Sequence, residues 1–341
     1  MRVLFYGGCH AGVMHQAFAR HCLESGFIGT YIVNYQLIDQ ATDFPYNILS
    51  DFDAIVYSPI LNKGPFNTSF LEERCDAIGL KRVSYPWLQW AGYHTGAEKR
   101  PPVDWMYPTF VRARREHATF ASFKAWALND ATTPDAVHAY LDHTTRHLRE
   151  HEDRGAPDIR VSDYILDNYR SKRLFVTPDH PSTELYKHVF RSVAEKLGVA
   201  LDPAMDDIAV EFHDDHLLPI MPVVAETLGL DFRAGDFGFV NTLGRRWYSY
   251  TEMLEIFYYA DQGVELLSPE YGAPVIVDGH SIEITAKQLI FARQLRKSNQ
   301  YQVLSGPDVV EKKLGASRFL ERKGEWWNAF SLAPYVDVLA H

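Results

Sequence analysis

The feature that most constrains the fold of this chain is an apolar strand that ends in two glycines and leads straight into a helical pattern. The strand segment RVLFY, residues 2–6, is short and apolar, as is typical of a buried strand closed by a tight turn. After the glycines, Met14, Phe18 and Cys22 recur at every fourth position, which predicts an amphipathic helix ending near residue 26. Strand, tight turn and helix in this order predict an α/β architecture.

The rest of the first 200 residues extends this pattern. Further strands are expected at residues 30–36, 52–60 and 81–90. Residues 172–198 repeat the opening arrangement, with the strand RLFVT, the turn PDHP and a helix that ends at a glycine. The expected fold class is therefore α/β, with a central, mostly parallel sheet. In the repeated unit, Ser182 and Thr183 are candidates for the helix N-cap.

The sequence predicts two regions. Residues 1–200 form an α/β catalytic and ligand-binding domain with a helical insertion at about residues 109–170. Residues 201–341 form a mixed C-terminal region of unknown role, packed on the first domain or separate from it.

Composition narrows the class of protein. A net charge of −10 over 341 residues argues against general nucleic-acid binding. Three cysteines without close pairing do not resemble a disulfide framework, and no apolar run of 18 residues predicts a membrane span. A cytoplasmic protein is expected, and a homodimer is compatible with the sequence.

The turn after the first strand, Gly7-Gly8-Cys9-His10, is the first candidate site. The carboxyl edge of an α/β sheet is where such sheets bind ligands, and the start of a helix favours the thiolate form of a cysteine. The turn could therefore place a reactive thiol beside an acyl group. Equally, Cys9 could be a small buried side chain in a turn made by glycines. Neither the dinucleotide fingerprint nor the Walker A pattern is present.

His180 is the candidate partner of Cys9, because it lies in the turn TPDHPS between a strand and a helix. There it could act as a general base, although a solvated loop histidine would have the same pattern. His213 and His216 have a spacing that could bind a metal, but a polar loop is the favoured interpretation and no metal site is predicted.

Two other segments suggest ligand binding. The basic residues Arg170, Lys172 and Arg173 could contact phosphates, or could belong to a solvated charged face. The aromatic segment YPWLQWAGYHTG, residues 85–96, contains His94 and could stack on a sugar or adenine ring, or could form ordinary core.

Together these motifs resemble the WcbI-type polysaccharide biosynthesis acetyltransferases. The resemblance covers roughly residues 1–200 and rests on four short motifs in order: GGCH at residues 7–10, the proline-ended strand IVYSPI, the segment from Tyr85-Pro86 to Gly92-Tyr93-His94, and LFVTPDHPST. Gly8 and His10 replace the usual Asn and Gln, while Cys9 is retained. The layout is also similar to that of the SGNH hydrolases, with Cys9 at the position of the serine.

The resemblance implies a CoA-dependent O-acetyltransferase that uses acetyl-CoA and acts on a hydroxyl of a capsular or other surface sugar. It implies catalytic roles for Cys9, His180 and His10, and coenzyme binding by Gly7, Gly8, His94 and the basic residues named above. Three alternatives remain open: an esterase or deacetylase on the same scaffold, a binding protein for coenzyme A or a sugar nucleotide without turnover, and, with less support, a glycosyltransferase.

Overall fold

The computed structural model describes most of the first 232 residues and separate segments beyond them. The described residues are 1–99, 105–208, 212–213, 218, 220–232, 250–251, 254, 258, 275–277, 280–282, 309–314, 317–322 and 325–326. The described strands are β1 (Arg2–Gly7), β2 (Ile28–Val33), β3 (Ala54–Tyr57), β4 (Lys81–Ser84), β5 (Glu98–Lys99), β6 (Trp105–Met106), β7 (Phe175–Thr177), β8 (His180–Pro181), β9 (Val275–Val277), β10 (His280–Ile282), β11 (Val309–Leu314), β12 (Ser317–Arg322) and β13 (Glu325–Trp326).

The described helices follow the same chain order. They are α1 (Cys9–His21), α2 (Asn34–Asp39), α3 (Thr68–Ile78), α4 (Pro108–Glu116), α5 (Phe120–Asn129), α6 (Pro134–Gly155), α7 (Ser162–Asn168), α8 (Thr183–Leu197) and α9 (Pro222–Leu228). Short 3-10 helices occur at Tyr46–Asp51, Gly64–Phe66 and Pro203–Asp207. None of the described helices is both long and apolar enough to cross a lipid bilayer.

The chain divides into two compact units. The first contains Met1–Gly92 and Leu141–His213, and the second contains Tyr93–Tyr140 and Asp214–His341. The first unit carries a four-stranded sheet in the order β2-β1-β3-β4, in which every neighbouring pair is parallel. The predicted α/β class with a central parallel sheet is therefore confirmed.

Strand β1 is buried on both faces, which explains why its sequence is a continuous run of apolar residues. Leu4 and Tyr6 belong to a cluster that includes Leu71 and Cys75 of α3. Phe5 faces the other way and meets Phe18 of α1, with ring centroids 5.6 Å apart. Alternate side chains of strand β1 therefore pack against helices on opposite faces of the sheet.

Helix α8 closes the second face next to α1. Its apolar side chains at every fourth position, Leu185, Val189, Val193 and Leu197, are all buried. Phe190 of α8 meets Phe18 edge-on, with ring centroids 6.4 Å apart. Gly198 ends the helix in the left-handed conformation at φ 77°, as the sequence predicted. Ser182 is the N-cap residue, but its hydroxyl donates to the carbonyl of Arg173 at 2.6 Å and makes no cap hydrogen bond.

Several expected boundaries were wrong, and each has a local cause. Helix α1 ends at His21 rather than near residue 26, because Cys22 is extended and bridges to Leu201. Strand β2 is shifted towards the N-terminus, since residues 34–39 form a short helix. The strand predicted at residues 81–90 ends at Ser84, whose amide and hydroxyl both donate to the Asp158 carboxylate.

The second unit contains the helices α4 and α5, which belong to the predicted insertion. Phe110 of α4 meets Phe123 and Trp126 of α5 at centroid distances of 6.2 and 5.4 Å. Tyr258 donates a hydrogen bond to the carbonyl of His117 at 2.9 Å and packs on Phe123. Among the described strands of this unit, β5 pairs with β6, β9 with β10, and β12 with β11 and β13, always antiparallel.

Candidate functional site

The turn between β1 and α1 lies at the carboxyl edge of the parallel sheet, and its glycines permit close packing. A Cβ atom on Gly7 would lie 2.9 Å from Cβ of Ala11, which is closer than real Cβ contacts allow. A Cβ atom on Gly12 would lie 3.1 Å from the ring of Tyr31. Gly7 and Gly12 of GGCHAG are therefore explained by the close packing of helix α1, and not by a dinucleotide pattern.

Cys9 is the first residue of α1 and is partly exposed. This position puts its sulfur at the positive end of the helix dipole, where a thiolate is favoured. All three cysteines of the chain lie in its described part, and none forms a disulfide. The other two differ from Cys9 in their surroundings: burial raises the pKa of Cys75 to about 11 and also raises the pKa of Cys22.

Two tyrosines stand close to the turn. Tyr31 of β2 donates its hydroxyl proton to the carbonyl of Gly8 at 2.8 Å. The Tyr85 hydroxyl lies 3.6 Å from the position that a Cβ atom on Gly7 would take. Burial raises the pKa of both phenols, that of Tyr31 to about 12 and that of Tyr85 further; the next largest cause is the charge of Tyr35 for Tyr31 and the charge of Cys9 for Tyr85. Both therefore remain protonated at neutral pH.

His10 is fully buried, and its ring is fixed by a hydrogen bond of 2.8 Å between Nε2 and the backbone carbonyl of Asp179. Because a carbonyl only accepts, Nε2 carries the proton. Burial lowers the pKa of His10 to about 4, and the neighbouring His180 contributes in the same direction. His10 is therefore neutral, and its Nδ1 presents a lone pair. It also packs on the ring of Trp87 at 4.2 Å.

His180 does not lie in an open loop, so the alternative of a solvated loop histidine is wrong. It begins the two-residue strand β8, which pairs antiparallel with β7, and it is partly buried. Two hydrogen bonds hold this hairpin against the sheet edge: His10 to the Asp179 carbonyl, and the Trp90 amide to the Pro178 carbonyl at 2.8 Å. The structure therefore brings His10 and His180 together across 170 residues of chain.

A third histidine completes the cluster. The ring of His213 stacks on His180 with a centroid distance of 4.3 Å and an interplanar angle of 16°. Its Nε2 hydrogen-bonds the hydroxyl of Tyr186 on α8 at 2.8 Å. An imidazole stacked in this way fixes the plane of His180, and the tyrosine in turn fixes His213. The carboxylate of Asp179 accepts a hydrogen bond from the Thr177 hydroxyl at 3.1 Å.

The residues predicted to bind coenzyme lie in two places. Arg170 and Lys172 are exposed in the loop after α7, where they lie over the rings of Tyr169 and Tyr164 at 5.4 and 5.8 Å. Arg173 donates through Nε to the carbonyl of Phe175 at 3.3 Å. Their part in coenzyme binding stays a prediction.

His94 belongs to the second unit, where it is buried and hydrogen-bonds the Tyr107 hydroxyl through Nδ1 at 3.2 Å. Its role in coenzyme binding also stays a prediction. His216, considered as a metal ligand together with His213, lies outside the described residues. Within the described part of the chain, no group of three or more His, Cys, Asp or Glu side chains is arranged to hold a metal.

Sequence reasoning missed several members of this cluster. Tyr186 was not singled out from the sequence, and His213 was considered only as a candidate metal ligand. Trp87 could have been found, because the aromatic segment follows strand β4 directly and must therefore start at the same sheet edge as the glycine turn. Tyr31 could have been found by the same reasoning, since β2 neighbours β1.

The family model described as the polysaccharide biosynthesis enzyme WcbI matches residues 2–202, which is more than half of the chain. A solved structure of WcbI, described as a novel polysaccharide biosynthesis enzyme, is similar with a TM-score of 0.54 at 19% sequence identity. The similarity covers 79% of this chain and 91% of that chain. That structure is described as the native protein without a disulfide bond between coenzyme A and one of its cysteines. No curated protein matches the chain.

Proposed function

The chain belongs to the WcbI family of polysaccharide biosynthesis enzymes, and on this premise we propose that it is an O-acetyltransferase that uses acetyl-CoA. The acceptor is a hydroxyl of a capsular or other surface sugar. The observation that supports the proposal is the position of Cys9 at the start of α1, next in sequence to His10, whose ring lies near those of His180 and His213. The similar solved structure is described in terms of a disulfide bond between coenzyme A and one of its cysteines, and this supports acetyl-CoA as the proposed acyl donor.

The proposed reaction has two steps. The Cys9 thiolate attacks the thioester carbonyl, so that a bond from Cys9 to the acyl carbon forms, the bond from the coenzyme sulfur breaks, and coenzyme A leaves as its thiolate. A sugar hydroxyl then attacks acetyl-Cys9 while His180 takes the hydroxyl proton, which regenerates the Cys9 thiolate. Backbone amides at Gly8, Cys9 and His10 are the proposed oxyanion donors, because the first amides of a helix have no partner within it.

His180 is the proposed base because its ring is partly exposed and is oriented by stacking on His213. His10 is suited to a different role. Its Nε2 proton is used by the Asp179 carbonyl, and its pKa of about 4 makes it a weak base at neutral pH. We therefore assign His10 to positioning the hairpin that carries His180.

The experiment compares acetyl transfer from acetyl-CoA to sugar acceptors in the wild type, Cys9→Ala and His180→Ala. Both variants are expected to lose at least about 100-fold in turnover, because each lacks a reacting group. Cys22→Ala is the matched control, since Cys22 follows the other end of the same helix and is also partly exposed. Full activity of Cys9→Ala would show that the acetyl group is transferred directly, without a covalent step on Cys9. Undiminished turnover by His180→Ala would show that His180 is not the general base.

A thermal-shift measurement separates the open alternatives. Coenzyme A and acetyl-CoA are expected to raise the melting temperature by mass action. An esterase would release acetate from acetylated sugar without any response to coenzyme A. A binding protein without turnover would keep its shift in both variants. No shift at saturating coenzyme A would contradict the proposed donor.

Three further parts of the proposal depend on other measurements. Contact of Arg170, Lys172 and Arg173 with coenzyme phosphates predicts weaker coenzyme binding when their charges are removed. A cytoplasmic location and a homodimer are proposed on the sequence, to be tested by fractionation and by size-exclusion with light scattering.

A further inference from the structure

Gly8 is the glycine of the first turn that close packing does not explain. A Cβ atom at this position would lie 3.4 and 3.6 Å from ring atoms of Trp87 and 3.7 Å from Oδ1 of Asn34. These are ordinary van der Waals distances, whereas a Cβ atom on Gly7 would clash with Ala11. The φ angle of Gly8, −85°, is also one that any residue can adopt. The chain therefore leaves room for one carbon atom at Gly8, directly before Cys9.

The two walls of this space, which we call the Gly8 cleft, differ in chemistry. Trp87 follows strand β4 and presents the edge of its six-membered ring. Asn34 follows strand β2, and its side-chain amide makes no hydrogen bond with the described part of the chain. Gly8 is buried, but Asn34, Trp87 and Cys9 are each partly exposed, so a ligand can approach the cleft from solvent. The cleft therefore has an apolar wall and a polar wall next in sequence to the thiol.

Buried polar atoms show that the same edge of the sheet is incomplete. In the part of the chain that the structure describes, Nδ1 of His10, Oγ of Ser58 and the hydroxyl of Tyr85 have no hydrogen-bond partner. They follow strands β1, β3 and β4, and the His10 ring packs on Trp87. Buried polar atoms in folded proteins normally have partners, so water or a ligand completes this edge. The edge includes the point between β1 and β3 where the chain connections diverge, which is where such sheets bind ligands.

We propose that the Gly8 cleft holds the acyl group of the donor, with its methyl group against Trp87 and its carbonyl oxygen at the Asn34 amide. The inference deepens the proposed function and rests on it for the thioester donor. The methyl carbon fits the room left by the absent Cβ atom. Because no hydrogen bond fixes the Asn34 amide, rotation of its last torsion presents Nδ2, which donates to the oxygen as negative charge develops there. Asn34 is thus assigned as a further catalytic residue, and Gly8 as the residue that limits acyl size.

The test follows acetylation of Cys9 by 4-nitrophenyl acetate, with mass spectrometry of the peptide that contains Cys9. The bond from the Cys9 sulfur to the acyl carbon forms, the bond from that carbon to the phenolic oxygen breaks, 4-nitrophenolate leaves, and the thiol proton passes to solvent. Gly8→Ala fills the cleft with a methyl group and is expected to slow acetylation roughly tenfold, because the acyl group is displaced. The variant is expected to fold, since the added carbon makes only ordinary contacts.

Gly155→Ala is the matched control variant, because it also adds a methyl group at an ordinary distance, 3.5 Å from Cβ of Pro59. It is expected to leave acetylation of Cys9 unchanged. In parallel, methyl methanethiosulfonate measures the reactivity of the Cys9 thiolate without an acyl group, and its rate is expected to be the same in all variants. An equal fall of both rates in Gly8→Ala would show that access to the sulfur has changed, and not acyl binding, and would overturn the inference.

Asn34→Leu tests the polar wall and makes the result independent of how well Gly8→Ala folds. Leucine has nearly the same size and charge state but no donor, so acetylation is expected to slow roughly tenfold while the thiosulfonate reaction keeps its rate. Unchanged acetylation in both variants, or no acetylation of Cys9 in the wild type, would overturn the inference. The assay contains neither acetyl-CoA nor sugar: selective slowing without transfer from acetyl-CoA would refute only the proposed function, and such transfer with unchanged acetylation rates would refute only the role of the cleft.

Discussion

The turn after β1 and the turn after β7 look alike in sequence, since each follows a short apolar strand and precedes an amphipathic helix. In the structure they differ in what they contribute. The first turn uses glycines, so that backbone and helix approach closely and the Cys9 thiol is placed at a helix start. The second turn is a hairpin between β7 and β8, and it contributes a carbonyl at Asp179 and a ring at His180.

The difference teaches how one site is built from two distant segments. In the first turn, glycine at position 7 leaves no Cβ atom, and this allows the turn and helix α1 to pack closely. The geometry of the first turn therefore depends on steric packing. The second is defined by hydrogen bonds, from His10 to Asp179 and from Ser182 to Arg173. Substitutions in the first turn should therefore act through steric clash, and substitutions at the second through polar contacts.

The largest effect is expected for Gly7→Ala. The new methyl group would lie 2.9 Å from Cβ of Ala11, and forcing the helix away should lower the free energy of unfolding by about 3 kcal/mol. Urea denaturation would measure this loss. The double variant Gly7→Ala with Ala11→Gly removes the clash and should recover part of it, beyond the sum of the single changes. Strict additivity of the two changes would show that steric contact is not what fixes the first turn.

The link between the two turns should make stability depend on pH through His10. Its pKa is about 4 in the folded protein against 6.5 in the unfolded chain, so the unfolded state binds more protons between these values. Stability is therefore full above pH 6.5 and falls as the pH is lowered. Through His10, lowering the pH from 7 to 5 should reduce the free energy of unfolding by about 2 kcal/mol.

His10→Gln isolates this contribution, because glutamine can still donate to the Asp179 carbonyl but does not titrate. The loss of stability between pH 7 and pH 5, measured by urea denaturation, should be about 2 kcal/mol smaller in the variant. His151 and His188, whose pKa values are also lowered, contribute equally to both proteins and cancel. Equal losses in the wild type and the variant would mean that His10 is not buried as a neutral ring.

The contrast between the turns also explains what sequence could predict. Strands β1, β3 and β4 and helix α8 follow from local apolar patterns, and so does the position of Cys9 at the edge of a parallel sheet. The end of α1 at His21 does not, because it is set by the bridge between Cys22 and Leu201, which are 179 residues apart. The stacking of His213 on His180 likewise depends on chain packing beyond α8, for which the sequence contains no periodic signal.

The smallest effect is expected at Ser182, where the sequence and the structure make different predictions. From sequence, Ser182 is a helix N-cap, so Asp at this position should cap equally well. In the structure the buried Ser182 hydroxyl is a donor to the Arg173 carbonyl, and Asp has no proton to donate. Ser182→Ala should cost about 1 kcal/mol in urea denaturation. Ser182→Asp should be no more stable than Ser182→Ala, because its carboxylate would face a carbonyl oxygen. Stability retained by Asp and lost by Ala would restore the capping role and reduce the second turn to an ordinary helix start.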